Sequence, residues 1–249
     1  MRIPRIYSDQ ALSTGAKVEL DPQAGNHVAR VLRMQAGQKI VLFNGDGNDY
    51  VAELTQADKK RVEVVVESQR SVASESPLRV TLGQVISRGD RMDYAVQKSV
   101  ELGASKIVPL VSERCEVKLQ GDREDKRLRR WQQVAISAAE QCGRARLTEI
   151  APLQRLSDWL PALADDGSRK LVLHHHSEQP LAQLDRPSHL ILLVGPEGGL
   201  TPGEVDAARS AGFVPTAFGP RVLRTETAPA AALAVCQWLW GDWQESDVS

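Results

Sequence analysis

Along the first stretch of the chain, apolar and polar positions alternate in short bursts: KVEL at 17–20, KIVLF at 39–43, YVAEL at 50–54 and RVEVVV at 61–66. A period of two sends successive side chains to opposite faces of a pleated strand, so each burst predicts a strand. Asn-Gly-Asp-Gly and Asp-Lys-Lys separate them as turn chemistry. One helix is predicted between them, from Pro22 to Met34. Several short strands at this spacing predict a small β-barrel, better suited to presenting a binding face than to enclosing chemistry.

Between Val66 and Arg79 the segment ESQRSVASESP is polar, short of bulky apolar residues and ends in proline, which predicts a linker. Beyond it the rhythm changes. RVTLGQVI (79–86), KIVPLV (106–111), KLVLHH (170–175) and HLILLVG (189–195) are compact apolar runs, as expected of strands buried on both faces. Amphipathic stretches at 90–102, 123–142, 154–164 and 202–211 predict helices between them. This alternation predicts an α/β unit with a mostly parallel sheet flanked by helices, in which ligands sit at the carboxyl ends of strands. The expected division is a barrel over 1–72 and an α/β domain over 73–249. No internal repeat or low-complexity tract is present.

Composition narrows the partners. With 249 residues, 42% of them hydrophobic, the chain has the material for one large or two ordinary folded domains. Lys and Arg number 31 against 32 Asp and Glu, a net charge of −1, so a polyanion would have to meet a local basic patch. Cys115, Cys142 and Cys236 lie far apart without CxxC spacing, which argues against a disulfide framework and a thiolate zinc site. No apolar signal core opens the chain, and no window approaches the roughly 18 uninterrupted apolar residues of a membrane span. A soluble, cytoplasmic protein is expected.

The richest stretch is LILLVGPEGGLTPGE, 190–204. An apolar strand ends at Gly195, Pro196-Glu197-Gly198-Gly199 turns the chain, and Thr201-Pro202-Gly203-Glu204 has the form of a capping box with proline at the first helical position. It lacks both the Walker ending and the GxGxxG spacing, so a phosphate cradle is poorly supported. Taken alone, a tight turn is the simpler explanation. A second glycine junction changes that: VPTAF (214–218) runs into Gly219-Pro220 and on through Arg221 to Thr227, also at a carboxyl end of the sheet. Two uncluttered turns of this kind are expected to surround one crevice.

GPEGG at 195–199 and GPRVLRTETA at 219–228 closely resemble the C-terminal signature of the SPOUT superfamily of RNA methyltransferases, in particular the RsmE branch, the 16S ribosomal RNA uracil-N3 methyltransferases. RIPRIY at 2–7, NHVARVLRM at 26–34, LGQVISRGDRMDYAVQKSVELG at 82–103, SERCEVK at 112–118 and AEQCGR at 139–144 carry the resemblance along essentially the whole chain. It implies a PUA-like RNA-binding barrel, a SPOUT domain whose final segment is threaded as a trefoil knot, a homodimer, and S-adenosylmethionine in the knot crevice. The implied partner is 16S ribosomal RNA or the small ribosomal subunit. No membrane partner and no metal are expected.

Within that frame, the resemblance assigns the donor pocket to Leu173, His174, Gly195, Pro196, Glu197, Gly198, Gly199, Phe218, Gly219, Leu223 and Thr227. Arg224 is the candidate for meeting charge on the acceptor base, against the alternative that it merely pairs with Glu226 or a helix end. Glu226 is the nearest carboxylate able to take a proton, although Thr225, Glu226 and Thr227 also look like N-cap chemistry for the final helix, from Ala228 onward. Cys142 is expected to pack rather than to form a covalent adduct, which methylation at nitrogen does not need. His174, His175 and His176 alternate along a strand and are poorly placed to share one ion.

For RNA, Arg123, Arg127 and Arg130 form a row on the helix over 123–142, extended by Lys118 and Arg144, with Lys126, Arg129 and Arg146 near it. Arg2, Arg5, His27, Arg30 and Arg33 are the barrel's candidates. Trp238, Trp240 and Trp243 on the terminal helix suggest an association surface or a closed core. The competing expectation is a non-catalytic RNA-binding or ribosome-assembly factor that keeps the fold; a nucleotide-using α/β enzyme fits less well, because its glycine turn would come early.

Overall fold

The computed structural model describes residues 3–58, 61–174, 181 and 185–244. It resolves into two compact units: one of Met1–Glu75 with Ala139–Leu147, the other of Ser76–Ala138 with Thr148–Ser249.

In the first unit, β1 (Arg5–Tyr7), β2 (Lys17–Glu19), β3 (Lys39–Phe43), β4 (Asn48–Ala57) and β5 (Val62–Ser71) form a five-stranded sheet in the order β1-β3-β4-β5-β2. Only the β1–β3 pair is parallel. The alternating residues that announced these strands, among them Val18, Ile40, Leu42, Leu54 and Val64, form a buried apolar cluster. Backbone pairing carries β5 past the apolar run, with Ser68–Ser71 opposite Asn48–Val51, so part of the segment expected as linker is strand. Its polar side chains are exposed, and ladder hydrogen bonds need no apolar side chain.

The helix expected over Pro22–Met34 is shorter and changes kind. Asp21 caps α1 (Pro22–Asn26), accepting from the amides of Gln23 at 2.8 Å and Ala24 at 3.0 Å. The chain then widens into a π-helical turn, His27–Val31, in which the Leu32 amide reaches back to the His27 carbonyl. Arg33, at φ 54°, ends it in the left-handed region, where a side chain is uncommon. Val31 and Leu32 face solvent.

In the second unit, β6 (Arg79–Val85), β7 (Lys106–Val111), β8 (Glu149–Ile150), β9 (Gln154–Arg155), β10 (Arg169–Leu173), β11 (His189–Val194) and β12 (Val214–Thr216) form a seven-stranded sheet. The order is β12-β10-β11-β6-β7-β8, with β9 also on β7, and every pairing is parallel. Its helices are α2 (Arg91–Glu101), α3 (Asp122–Cys142), α4 (Leu156–Ala162), α5 (Pro202–Ser210) and α6 (Thr227–Trp240). Val85, Leu110, Trp159, Leu193 and Phe213 lie in its core. A Cβ on Gly83 in β6 would stand 2.5 Å from the Trp159 ring, so the indole rests directly on the strand backbone.

The capping box forms as the sequence suggests. Thr201 Oγ1 accepts from the Glu204 amide and Glu204 Oε2 accepts from the Thr201 amide. Glu204 does more: its other oxygen accepts from the Glu113 amide at 2.8 Å, which fixes the loop beyond β7.

Candidate active site

At the carboxyl ends of the adjacent strands β12, β10 and β11 lies a cavity of about 610 Å³. Leu173 and His174 enter it from β10, Val194 and the whole Gly195–Gly199 turn from β11, and Thr216 with Phe218 and Gly219 from β12. Leu223, Arg224, Thr225 and Glu226 complete the wall; Thr227, also expected in it, does not line the cavity. The two glycine junctions therefore face the same space.

The turns are tight for identifiable reasons. Gly199 at φ 69° donates back to the Pro196 carbonyl at 2.9 Å. A Cβ on Gly195 would be only 3.1 Å from the Leu200 side chain. Gly219, at φ 77°, makes the second bend in a conformation that L side chains rarely adopt.

Buried Thr225 joins the two segments. Its hydroxyl donates to the Gly195 carbonyl at 2.9 Å and accepts from Gln84 Nε2 at 3.2 Å. Gln84 lies in β6 directly opposite Val194, so one hydroxyl stitches a strand end, the first turn and the final segment together. This corrects the expectation of N-cap chemistry: Thr225 is spent on tertiary bonds, and Glu226, at the N-cap position of α6, makes no capping bond with its side chain.

Glu226 is held otherwise. Its Oε1 lies 3.9 Å from Arg91 Nε, while Oε2 is buried without a hydrogen-bond partner among the described residues. Arg91, at the start of α2, also binds Glu197 Oε1 at 3.0 Å, and the Arg88 amide donates to the same oxygen at 3.2 Å. Burial pushes the Glu197 carboxyl up, but the amide and guanidinium hydrogen bonds outweigh it and leave the group below its ordinary value. Arg224 is exposed at the cavity wall, and no described residue forms an ion pair or hydrogen bond with its side chain, so the pairing with Glu226 is not made.

Comparison with known proteins accounts for this arrangement. A family model described as an RNA methyltransferase domain matches residues 74–237, and an RNA methyltransferase PUA domain matches 20–67. Ribosomal RNA small subunit methyltransferase E of Buchnera aphidicola from Schizaphis graminum is 33% identical over 97% of this chain and 98% of its own. The crystal structure of the protein of that name from Neisseria gonorrhoeae, bound to S-adenosyl methionine, superposes with a TM-score of 0.91 at 42% identity, covering 97% of this chain and all (100%) of the other. A Legionella pneumophila protein solved with the cofactor SAM bound gives 0.94 at 40% identity, over 97% and 100% of the two chains.

The chain belongs to the RNA methyltransferase family.

Its architecture is that of the SPOUT methyltransferases, an α/β domain on a mostly parallel sheet preceded by a PUA-like unit. In this family member the basic residues expected to meet RNA fall into different circumstances. Two assignments need correction. The Arg5 side chain is only 8% exposed: it binds Asp49 at 2.6 Å, donates to the Ala139 carbonyl at 3.0 Å and lies over the Phe43 ring at 4.5 Å. Arg144 is likewise buried and grips Glu75 through two of its nitrogens, at 3.1 and 2.6 Å. Both guanidiniums are consumed inside the first unit, where a buried cation has to be paired.

Arg130 is tied to Asp93 at 2.5 Å but keeps half its side chain exposed. His27, Arg30, Arg33, Lys118 and Arg123 are exposed and Arg127 half-buried; Arg2, His175 and His176 lie outside the described residues. Among the described residues no group of His, Cys, Asp or Glu is placed to hold a metal ion, and no helix is long and apolar enough to cross a membrane.

Sequence reasoning overlooked Gln84, Arg91 and Arg114, none of which belongs to a glycine turn. The available signal was position: Gln84 lies near the carboxyl end of one parallel strand, and Arg91 and Arg114 follow just beyond two of them, where α/β sheets bind ligands.

Proposed function

We propose that this chain is an S-adenosylmethionine-dependent methyltransferase acting on N3 of a uracil in small-subunit ribosomal RNA. The single observation that carries the assignment is that both glycine turns and the Leu223–Glu226 segment wall one cavity, with Arg224 uncommitted at its edge. At about 610 Å³ the cavity fits a small-molecule site, within the common range of roughly 300–1,000 Å³. Its walls supply main-chain donors and acceptors from Gly195–Gly199 and Phe218–Leu223, apolar atoms of Leu173 and Leu223, and a buried, unpartnered carboxylate oxygen on Glu226. These features fit a nucleoside with a charged amino-acid tail.

When bound, S-adenosylmethionine supplies an electrophilic methyl group. The protein's own part is acid–base and electrostatic. In the proposed scheme the Glu226 carboxylate takes the imide proton from N3, and the electron pair left behind spreads over N3, O2 and O4. Arg224 meets that charge with a permanent planar cation. Arg91 sits against Glu197 and Glu226 and keeps the two carboxylates on one side of the cavity. The remainder is positioning and exclusion of water.

We further propose that the protein acts in the cytoplasm as a homodimer. Trp240 closes the core at 4% exposure, whereas Trp238 and Trp243 are 55% and 49% exposed. Helices α2 and α6 pack together, and Tyr94 of α2, Val235 and Trp238 of α6 and Trp243 just beyond it are large apolar side chains left uncovered.

The test is transfer of tritium from labelled S-adenosylmethionine to small-subunit RNA and to assembled particles, followed by nucleoside analysis. 3-Methyluridine is the expected product. Methylation confined to carbon or ribose would overturn the N3 assignment and leave the fold untouched. Failure to bind S-adenosylhomocysteine at high concentration would favour the non-catalytic alternative.

A further inference from the structure

Positive charge around the cavity mouth is unevenly neutralised. Arg88 is paired with Glu116, and Arg91 with Glu197. Arg114 and Arg221 are exposed on the same cavity, and neither has an acidic partner among the described residues. Arg114 Nη1 donates to the Gly198 carbonyl at 3.0 Å, and its stem lies over Gly198. A carbonyl orients a guanidinium without cancelling its charge. The loop that carries it is itself anchored by the bond from the Glu113 amide to Glu204. Beside Arg221 stands Val222, 84% exposed at the cavity wall, more than any other large apolar residue described.

Two uncancelled guanidiniums, one of them oriented by a carbonyl and the other beside a bare aliphatic side chain, do not match a single small anion, which one arginine would satisfy. They match a strand in which phosphates and bases alternate. The row on α3 is a weaker rival: Arg130 is already committed to Asp93, and Asp122, Glu124 and Asp125 crowd the first turn.

We propose that Arg114, Arg221 and Val222 form the surface on which unpaired RNA is laid across the mouth of the cavity. The arginines take phosphates flanking the reacting nucleotide, and Val222 meets the face of a neighbouring base. The proposal rests on the methyltransferase function inferred above. That function also demands an unpaired strand, because N3–H of uracil is its central Watson–Crick donor and is occupied in any base pair.

The experiment measures affinity of the full-length protein for a fluorescent single-stranded fragment of small-subunit RNA over a series of KCl concentrations, without methyl donor. Arg114→Ala and Arg221→Ala should each make the dependence of log K on log salt shallower by about 0.7. Arg221→Lys should restore the slope, and Val222→Ala should weaken binding several-fold with the slope unchanged. Calorimetry with S-adenosylhomocysteine should still show binding in all four variants, because each substitution spares the main-chain groups of the cavity wall. Unchanged slopes in both alanine variants overturn the proposal, as does loss of S-adenosylhomocysteine binding in them, which would make these residues part of the donor pocket. Altered slopes in a protein that never binds S-adenosylhomocysteine would sustain the RNA surface while refuting the catalytic function.

Discussion

At the scale of single residues, the site separates groups that hold from groups that act. Thr225 holds: replacing it with valine leaves the Gly195 carbonyl and the Gln84 amide without their partner. A buried polar group so abandoned costs about 1–3 kcal/mol, so Thr225→Val should lower the thermal midpoint and weaken S-adenosylhomocysteine in calorimetry together. Arg224 is the group proposed to act: its side chain forms no ion pair or hydrogen bond among the described residues, and Arg224→Ala should cut turnover by roughly 10²–10³-fold while changing donor affinity little. Equal losses in both would make it a residue of the pocket wall. Glu197 offers a pH signature. Its pKa lies below the ordinary 4.5, so the contribution of its bonds to Arg88 and Arg91 is complete above that value and lost as pH falls through the folded pKa. Denaturation curves of wild type and Glu197→Gln should differ at neutral pH and converge below about 4.5. The sequence allowed Arg224 to be singled out because it sits inside a motif. It gave no means to tell Arg5 and Arg144 from surface arginines, since their burial depends on Asp49 and Glu75, distant in sequence and brought near only by folding.

Elements were legible wherever side chains carry the signal. The apolar runs of β3, β7 and β11 and the long face of α3, where Trp131, Ala135 and Ala138 are buried, stand where periodicity puts them. Those missed, β1, β8 and β9, are two or three residues long and exist through pairing with β3 and β7. Likewise no local pattern marks the change from α1 to a π-helical turn at His27. Two element-level substitutions test the accounts given. Thr201→Ala removes one half of the capping box and should cost about 1 kcal/mol by denaturant titration. Gly83→Ala drives a methyl group into Trp159 and should cost about 1–3 kcal/mol, with the Trp159→Phe background relieving part of it. If the alanine is tolerated in wild type, the indole does not rest on the backbone as described.

For the molecule as a whole, the sequence announced the order of a strand-rich unit and an α/β unit, because the period of the hydrophobic pattern switches between them. What it could not show by spacing is how Gln84, Arg91, Arg114, Leu173, Gly195 and Arg224 come to one end of one sheet. That convergence follows from parallel crossovers, which return each strand in the same direction and stack every carboxyl end on one side. Self-association belongs to this scale too. Sedimentation at micromolar concentration should show a dimer, and Trp238→Asp should shift it to monomer without unfolding it, since that side chain is exposed in the single chain.

Much of the cavity's first turn is glycine, proline and peptide backbone rather than functional side chains. Mutation cannot delete a peptide group; it can only add bulk over one. A competitive inhibitor shaped like the methyl donor would therefore leave few escape routes, because bulk added over the turn against the inhibitor is added against the natural co-substrate as well.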